Sequence, residues 1–186
     1  MILYPTETLY ALGVNAIDPE ALAKLYLLKE RDASRAASWL VRGMGDVEKY
    51  AEVGEVAAKI AHAFLPGKLT LVLKALPHVS SEVVAADRTI GFRISKDLVA
   101  QKIIAEYMET NDAPLTCTSA NISGLATLGT VGEILQQFGA HANMITKTID
   151  DGPRKGLAST IVRVIGGEVT VLREGDISEA DIRAVL

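Results

Sequence analysis

The sequence predicts an α/β protein built on a mixed β-sheet with flanking helices. Three patterns carry that expectation. Strand-like and helix-like segments interleave along the chain. Lys68 to Lys74 alternates as Leu69, Leu71 and Leu73 against Thr70 and Val72, the period of a strand. Gly166-Gly167 separates two strand-like runs, a two-residue hairpin signal that makes part of the sheet antiparallel.

Taken in order, residues 2 to 4 are apolar and run into Pro5, which suits a strand ending at a turn. Asp18-Pro19 places an N-cap before proline at the first helical position, and Leu22, Leu25, Tyr26 and Leu28 follow near-helical spacing, so a helix is expected from about 19 to 31. Residues 38 to 42 read as a strand, and Glu55 to Phe64 as an amphipathic helix closed by Pro66-Gly67. Further strands are expected at Lys68–Lys74, Thr89–Ile94 and Pro114–Thr118, with a helix at Asp97–Thr110. After a Ser/Gly-rich turn over 119 to 130 come a helix at Val131–Phe138 and the hairpin strands Ser159–Ile165 and Glu168–Arg173. Ser178 with Asp181 opens a short terminal helix.

The 186 residues suit one domain, 1–186, and no repeat, linker or low-complexity tract divides them. A composition of 49% hydrophobic and 23% charged residues excludes a disordered or collagen-like chain. The formal charge of −4 means that a nucleic-acid partner would have to meet a local basic patch. The single cysteine, Cys117, cannot form an intramolecular disulfide, and no Cys/His cluster has zinc-ligand spacing. No apolar run reaches the ~20 residues that span a bilayer, and no signal-peptide pattern follows Met1. The expectation is a soluble, cytoplasmic protein with no membrane partner and no protein-held metal.

Several stretches could carry chemistry. Tyr4 to Gly13 passes from a strand end into Thr6, Glu7 and Thr8, which suit either a small polar ligand or a Pro-Thr helix cap with Tyr10 in the core. Lys29-Glu30-Arg31 lies in a stretch from 24 to 42 with five basic and two acidic residues. That stretch reads as an electropositive phosphate clamp or as a solvated helix end. Thr116 to Gly124 is dense in small hydrogen-bonding residues and resembles an anion-binding turn, with Ser119 and Asn121 as added donors, or a plain polar turn. Arg93 sits mid-strand among apolar neighbours and needs a partner or a carboxylate-bearing ligand. Cys117 follows an apolar strand with nothing basic near it in sequence, which favours a buried structural thiol over a nucleophile. There is no P-loop and no dinucleotide fingerprint, and His62, His78 and His141 lack acidic partners for a hydrolase or metal triad.

In order along the chain, Pro5-Thr6-Glu7-Thr8-x-Tyr10, Lys29-x-Arg31, Pro66-Gly67-x-x-Thr70, Gly91-x-Arg93, Ser119-Ala120-Asn121-x-Ser123-Gly124, Ser159-Thr160 and Arg173-Glu174-Gly175 resemble the YrdC-like family, over about residues 2 to 177. The resemblance implies an open, twisted mixed sheet with a concave basic cleft. It also implies synthesis of L-threonylcarbamoyladenylate from L-threonine, bicarbonate and ATP with release of pyrophosphate, the first step toward threonylcarbamoyladenosine in tRNA. Carried over by motif position, Thr6, Arg93, Cys117 and Ser159 would line a threonine pocket. Lys29, Arg31, Thr89, Ser119, Asn121, Thr127 and Arg173 would form the ATP site, with Lys29 and Arg31 as the catalytic pair. Magnesium is expected with ATP, and a downstream threonylcarbamoyl transferase as partner. A module binding tRNA or double-stranded RNA, or a paralogue hydrolysing a nucleotide-linked intermediate, are the alternatives. The chain departs from the family pattern at Ala11, Asp32, Ala36-Ala37 and Lys68.

Overall fold

The computed structural model describes residues 1–186, and none of its helices is long and apolar enough to cross a membrane. In chain order the elements are β1 (Ile2–Pro5), β2 (Tyr10–Gly13), α1 (Pro19–Leu28), β3 (Trp39–Leu40), α2 (Met44–Val47), α3 (Glu55–Phe64), β4 (Leu69–Lys74) and β5 (Thr89–Arg93). They continue as α4 (Leu98–Asn111), β6 (Leu115–Thr116), β7 (Thr118–Ser119), α5 (Val131–Phe138), β8 (Lys147–Thr148), β9 (Thr160–Ile165), β10 (Glu168–Arg173) and α6 (Glu179–Arg183).

The α/β class and mixed pairing stand, but the strands form two sheets where one was expected. A four-stranded sheet runs β7-β2-β1-β8 and a six-stranded sheet runs β10-β9-β4-β5-β3-β6. The segment read as one strand over 114 to 118 joins them. Thr116 pairs with Trp39 in the larger sheet, and Thr118 pairs with Leu12 in the smaller one. Cys117 stands at the crossing and donates its amide to Ser38 O at 2.6 Å.

Local chemistry explains most boundaries. Asp18 caps α1 by accepting from the Glu20 and Ala21 amides, with Pro19 at the first position. Asp97 caps α4 in the same way, and Thr130–Glu133 and Ser178–Asp181 form capping boxes on α5 and α6. The helix expected to reach 31 ends at Leu28 instead. Glu30 turns into the left-handed region (φ 47°), and the Arg31 amide reaches back to Tyr26 O at 2.9 Å. Lys29 and Arg31 therefore leave the helix cylinder. The strand expected over 38 to 42 is the two-residue β3, and β2, α2 and β8 had no sequence signal.

The larger apolar core packs beneath the six-stranded sheet, where Phe92 is fully buried and Trp39 is 1% exposed. The Trp39 ring meets Tyr50 edge-on at 5.3 Å and Phe92 at 5.9 Å. A second cluster, with Tyr4, Leu40, Ile104 and Met108, fills the space between the sheets and α4.

Truncating Phe92 removes a ring from both the core and the aromatic group. Phe92→Ala is expected to lose about 3–5 kcal/mol in urea unfolding. Leu27→Ala, at a side chain left 65% exposed, should stay within about 0.5 kcal/mol of the parent.

Candidate active site

The two sheets bring distant parts of the sequence to one place. β4 runs antiparallel to β5 and parallel to β9, and β9 runs antiparallel to β10. The start of β4, the end of β5, the start of β9 and the end of β10 therefore share one sheet end. Thr70, Arg93, Ser159 and Arg173 sit there. The β1–β2 turn, with Thr6 and Thr8, faces them from the smaller sheet, and the chain after α1 adds Arg31 and Arg35. Together they line a cavity of about 190 Å³ that also includes Ser38, Cys117, Thr118 and Ser119. It is lined by four arginines and no carboxylate.

A second cavity of about 530 Å³ shares Arg31, Arg35, Ser119 and Arg173 with the first and has no hydrophobic residue in its lining. Lys29, Glu30, Asp32, Asn121, Ser123 and Gly124 complete it. A larger hollow, about 840 Å³, opens between α1 and α4. It mixes Asp18, Glu20 and Glu106 with Lys24 and Lys147, and none of the predicted site residues reaches it.

Within the smaller cavity most polar groups are held by the protein. Thr6 Oγ1 accepts from the Thr8 and Leu9 amides, each at 3.2 Å, and so builds the turn that presents it. Ser159 Oγ lies 2.8 Å from Thr70 Oγ1, and Arg173 donates through Nη2 to Ser159 O at 2.6 Å. Gly91 sits in close quarters beside Arg93: a Cβ there would stand 3.0 Å from Ser38 Oγ and 3.2 Å from Thr70 Cγ2, so either side chain would have to give by a few tenths of an ångström. The segment 150 to 158 straps this turn from outside. Arg154 donates to Thr6 O at 3.0 Å and pairs with Asp97, while a Cβ on Gly156 would come within 2.6 Å of Thr8 O.

Arg93 has a partner that the sequence did not reveal. Its Nη2 bonds the Glu7 carboxylate, whose other oxygen accepts from Ser95 Oγ, and both charged side chains are under 10% exposed. Arg93 Nε is buried without a partner. Nη2 is thus anchored, and Nη1, which makes no hydrogen bond within the protein, is the donor left for a ligand. Removing one member of a buried pair costs about 3–5 kcal/mol, so Glu7 and Arg93 hold each other in place.

The clamp is built differently from the expectation. Lys29 is 1% exposed, and its Nζ donates to Ser119 O and, at 2.7 Å, to Asn121 O. Burial, helped by the nearby Arg31 guanidinium, pulls its pKa from 10.5 to about 7. Arg31 donates through Nε to Arg35 O at 2.7 Å and through Nη2 to Ala36 O at 3.0 Å. Burial also holds Arg31 and Arg173 below the usual arginine range. Asp32 lines the second cavity beside these cations and accepts from the Ser34 amide at 2.9 Å, the bond that chiefly lowers its pKa, with a smaller contribution from the Arg35 charge.

The turn after Thr118 is also not the amide cradle that its composition suggested. The amides of Ala120, Asn121, Ile122, Ser123 and Leu125 all donate to protein acceptors, Ser123 to Lys29 O at 2.8 Å. Ser119 Oγ bonds Asn121 Oδ1, and Asn121 Nδ2 bonds Ile122 O and Leu125 O. The loop turns carbonyl oxygens toward Lys29.

Of the predicted residues, Thr6, Arg93, Cys117 and Ser159 share the smaller cavity, Arg31, Ser119 and Arg173 border both, and Lys29 and Asn121 border the larger. Two fall outside. Thr89 begins β5 opposite Lys74, four residues and roughly 13 Å of strand from Arg93, and its hydroxyl bonds Asp87 at 2.7 Å. Thr127 is exposed in the chain leading to α5 and lines neither cavity. Cys117 lies against Tyr4, and burial raises its thiol pKa, so it contributes shape and not a thiolate. Glu7, Thr70 and Arg35 lie in stretches that the sequence reading singled out, the polar turn after Pro5, the Pro66-Gly67-x-x-Thr70 motif and the basic stretch 24 to 42, but none was given a role in either cavity.

Comparison with known proteins adds relatives. A family model, Sua5_yciO_yrdC, described as "Telomere recombination", matches residues 1–175. The chain is 36% identical over 176 residues to a protein of Methanocaldococcus jannaschii, covering 94% of this chain and 79% of that one. It is 30% identical over 188 residues to the threonylcarbamoyl-AMP synthase of Pyrococcus abyssi, of which it spans 53%, about half the length. Among solved structures, P. abyssi Sua5 complexed with L-threonine matches all of this chain and 53% of that one with a TM-score of 0.87 at 29% identity. E. coli YciO shares the fold, with a TM-score of 0.81 at 24% identity over 94% of this chain and 82% of that one.

The buried lysine makes stability depend on pH. Between about 7 and 10.5 the unfolded chain holds a proton on Lys29 that the folded chain has released, so stability rises with pH across that window. Above 10.5 both states are neutral and the burial penalty vanishes. Lys29→Met removes the titration. In urea unfolding, the parent should gain stability relative to Lys29→Met as pH rises from 7 to 10; parallel curves would show an ordinary lysine.

Proposed function

The chain belongs to the Sua5/YciO/YrdC family, and from that premise we propose that it makes L-threonylcarbamoyladenylate from L-threonine, bicarbonate and ATP, releasing pyrophosphate. The observation that carries this reading is a hydroxyl-rich cavity with four arginines and no carboxylate, opening beside a second cavity with no apolar wall. A small polar anion suits the first and a polyphosphate the second. That a relative was solved with L-threonine supports a threonine site in this fold.

Threonine would place its carboxylate on the free donors of Arg93 and its hydroxyl among Thr6, Thr70 and Ser159. Its amine adds to bicarbonate, giving a carbamate and water. A carbamate oxygen then attacks the α-phosphorus of ATP, and the bond to the bridging oxygen breaks as pyrophosphate leaves with the electron pair. Both reactants are anions, so the protein's part is to hold them together and neutralise the leaving group. Arg31 and Arg173 border both cavities and do this at the junction. A triphosphate beside Lys29 draws its pKa back upward, so the ammonium returns when ATP arrives. Magnesium enters with ATP as its counter-ion. The product is a mixed anhydride with AMP, which passes to a separate threonylcarbamoyl transferase acting on tRNA in the cytoplasm.

Mass spectrometry tests the reading after incubation with ATP, threonine, bicarbonate and magnesium. The adenylate should appear, and pyrophosphate release should require threonine; release without threonine, or none, would overturn it. Arg93→Lys keeps a charge next to Glu7 but loses the fork, and should raise KM for threonine about tenfold. Arg31→Ala should lower kcat about 100-fold.

A further inference from the structure

Charged groups in the two cavities differ in how many of their donors are already taken. Arg93 is anchored on Glu7, Arg173 on Ser159 O, and Arg31 on Arg35 O, Ala36 O and, at 3.4 Å, Thr118 Oγ1. Lys29 donates to two carbonyls. Arg35 borders both cavities, yet its side chain makes no hydrogen bond and no salt bridge. Only its backbone is fixed, by Arg31 on its carbonyl and by its amide donating to Asp32 O at 3.1 Å. A five-donor group thus stands on a fastened stem at the junction of the two cavities, with its whole fork free.

We propose that Arg35 is a catalytic residue of this site: it closes on the β- and γ-phosphates and follows the charge onto pyrophosphate as the bond from the α-phosphorus breaks. The inference rests on the synthase reading above and adds to it the group that moves. Arg31 and Arg173 are fixed in place and present preorganised donors to the junction, although their donors are partly used by the protein's own carbonyls. A guanidinium free to rotate on the Arg35 stem meets negative charge that grows only as pyrophosphate departs, which is the interaction that raises kcat. Asp32, three residues before it, is the nearest carboxylate along the chain; it accepts from the Ser34 amide and feels the Arg35 charge, but the two side chains form no salt bridge.

The test compares the parent with Arg35→Ala and Arg35→Lys. Because the side chain is exposed and unpartnered, the melting temperatures should match. In pyrophosphate release, Arg35→Ala should lose about 100-fold in kcat with KM for threonine unchanged, and Arg35→Lys should recover part of the loss because it restores charge without the fork. A kcat within about twofold of the parent would overturn the assignment. Titration with inorganic pyrophosphate, read by calorimetry, gives an answer independent of turnover: Arg35→Ala should bind about tenfold more weakly. If the parent forms no adenylate, the synthase reading falls, while equal pyrophosphate affinity in parent and variant removes Arg35 from the site whichever reaction is catalysed.

Discussion

Guanidinium groups crowd around a space of about 190 Å³, and their mutual repulsion sets the terms for everything near them. Two unit charges at 4 Å cost about 4 kcal/mol at an effective dielectric of 20, so cations that share a cavity are either held from outside it or free to swing apart, and three of the four arginines here are held. Carboxylates placed inside would cancel the field that an anionic ligand needs. The chain uses neutral acceptors instead: Ser159 O for Arg173, Arg35 O and Ala36 O for Arg31, and Ser119 O and Asn121 O for Lys29. The one carboxylate, Glu7, stands behind Arg93 and shares its charge with Ser95. Carbonyl dipoles orient the cations without neutralising them.

That solution explains the fold around the site. Backbone carbonyls point into a cavity only where regular pairing stops, and each carbonyl used here lies at a strand end or in a loop. The crossing at Cys117 is the most consequential of these breaks. It ends pairing in the six-stranded sheet at Thr116 and restarts it in the four-stranded sheet at Thr118. The seam it leaves is where Thr6 and Arg93, from different sheets, face the same space. The strap over 150 to 158 closes the outer side of that seam through Arg154, fixing the turn that carries Thr6.

The sequence made some of this legible. β4 was readable because Leu69, Leu71 and Leu73 face a core while Val72 and Lys74 do not, and α1, α4 and α6 were readable from their capping residues. β2 was not readable, because all four of its residues are buried and no alternation survives. The end of α1 was misplaced because it depends on a positive φ at Glu30, a residue with no preference for that region. Most site residues were found through motif resemblance, which transfers positions but not hydrogen bonds. Lys29 lines the second cavity, but only coordinates show that two carbonyls enclose it. Thr89 lines neither cavity, because a residue four positions along the same strand as Arg93 lies at its other end. Glu7–Arg93 joins residues 86 apart in sequence, and no local pattern encodes such a pair.

An acidic chain can still present a site for anions, because range decides which charges a ligand feels. At physiological ionic strength the Debye length is about 8 Å, so the net charge of −4 is screened at distances where the lining arginines act directly. The concave, low-dielectric wall further concentrates their field within the cavity. The cavity is small, about 190 Å³, so every point in it lies close to the lining guanidinium groups. The adjoining space, at about 530 Å³, has no apolar lining and shares Arg31, Arg35 and Arg173 with the first. The field at the junction is therefore set by the side chains that line it, and the surface charge of the whole molecule has little part in it.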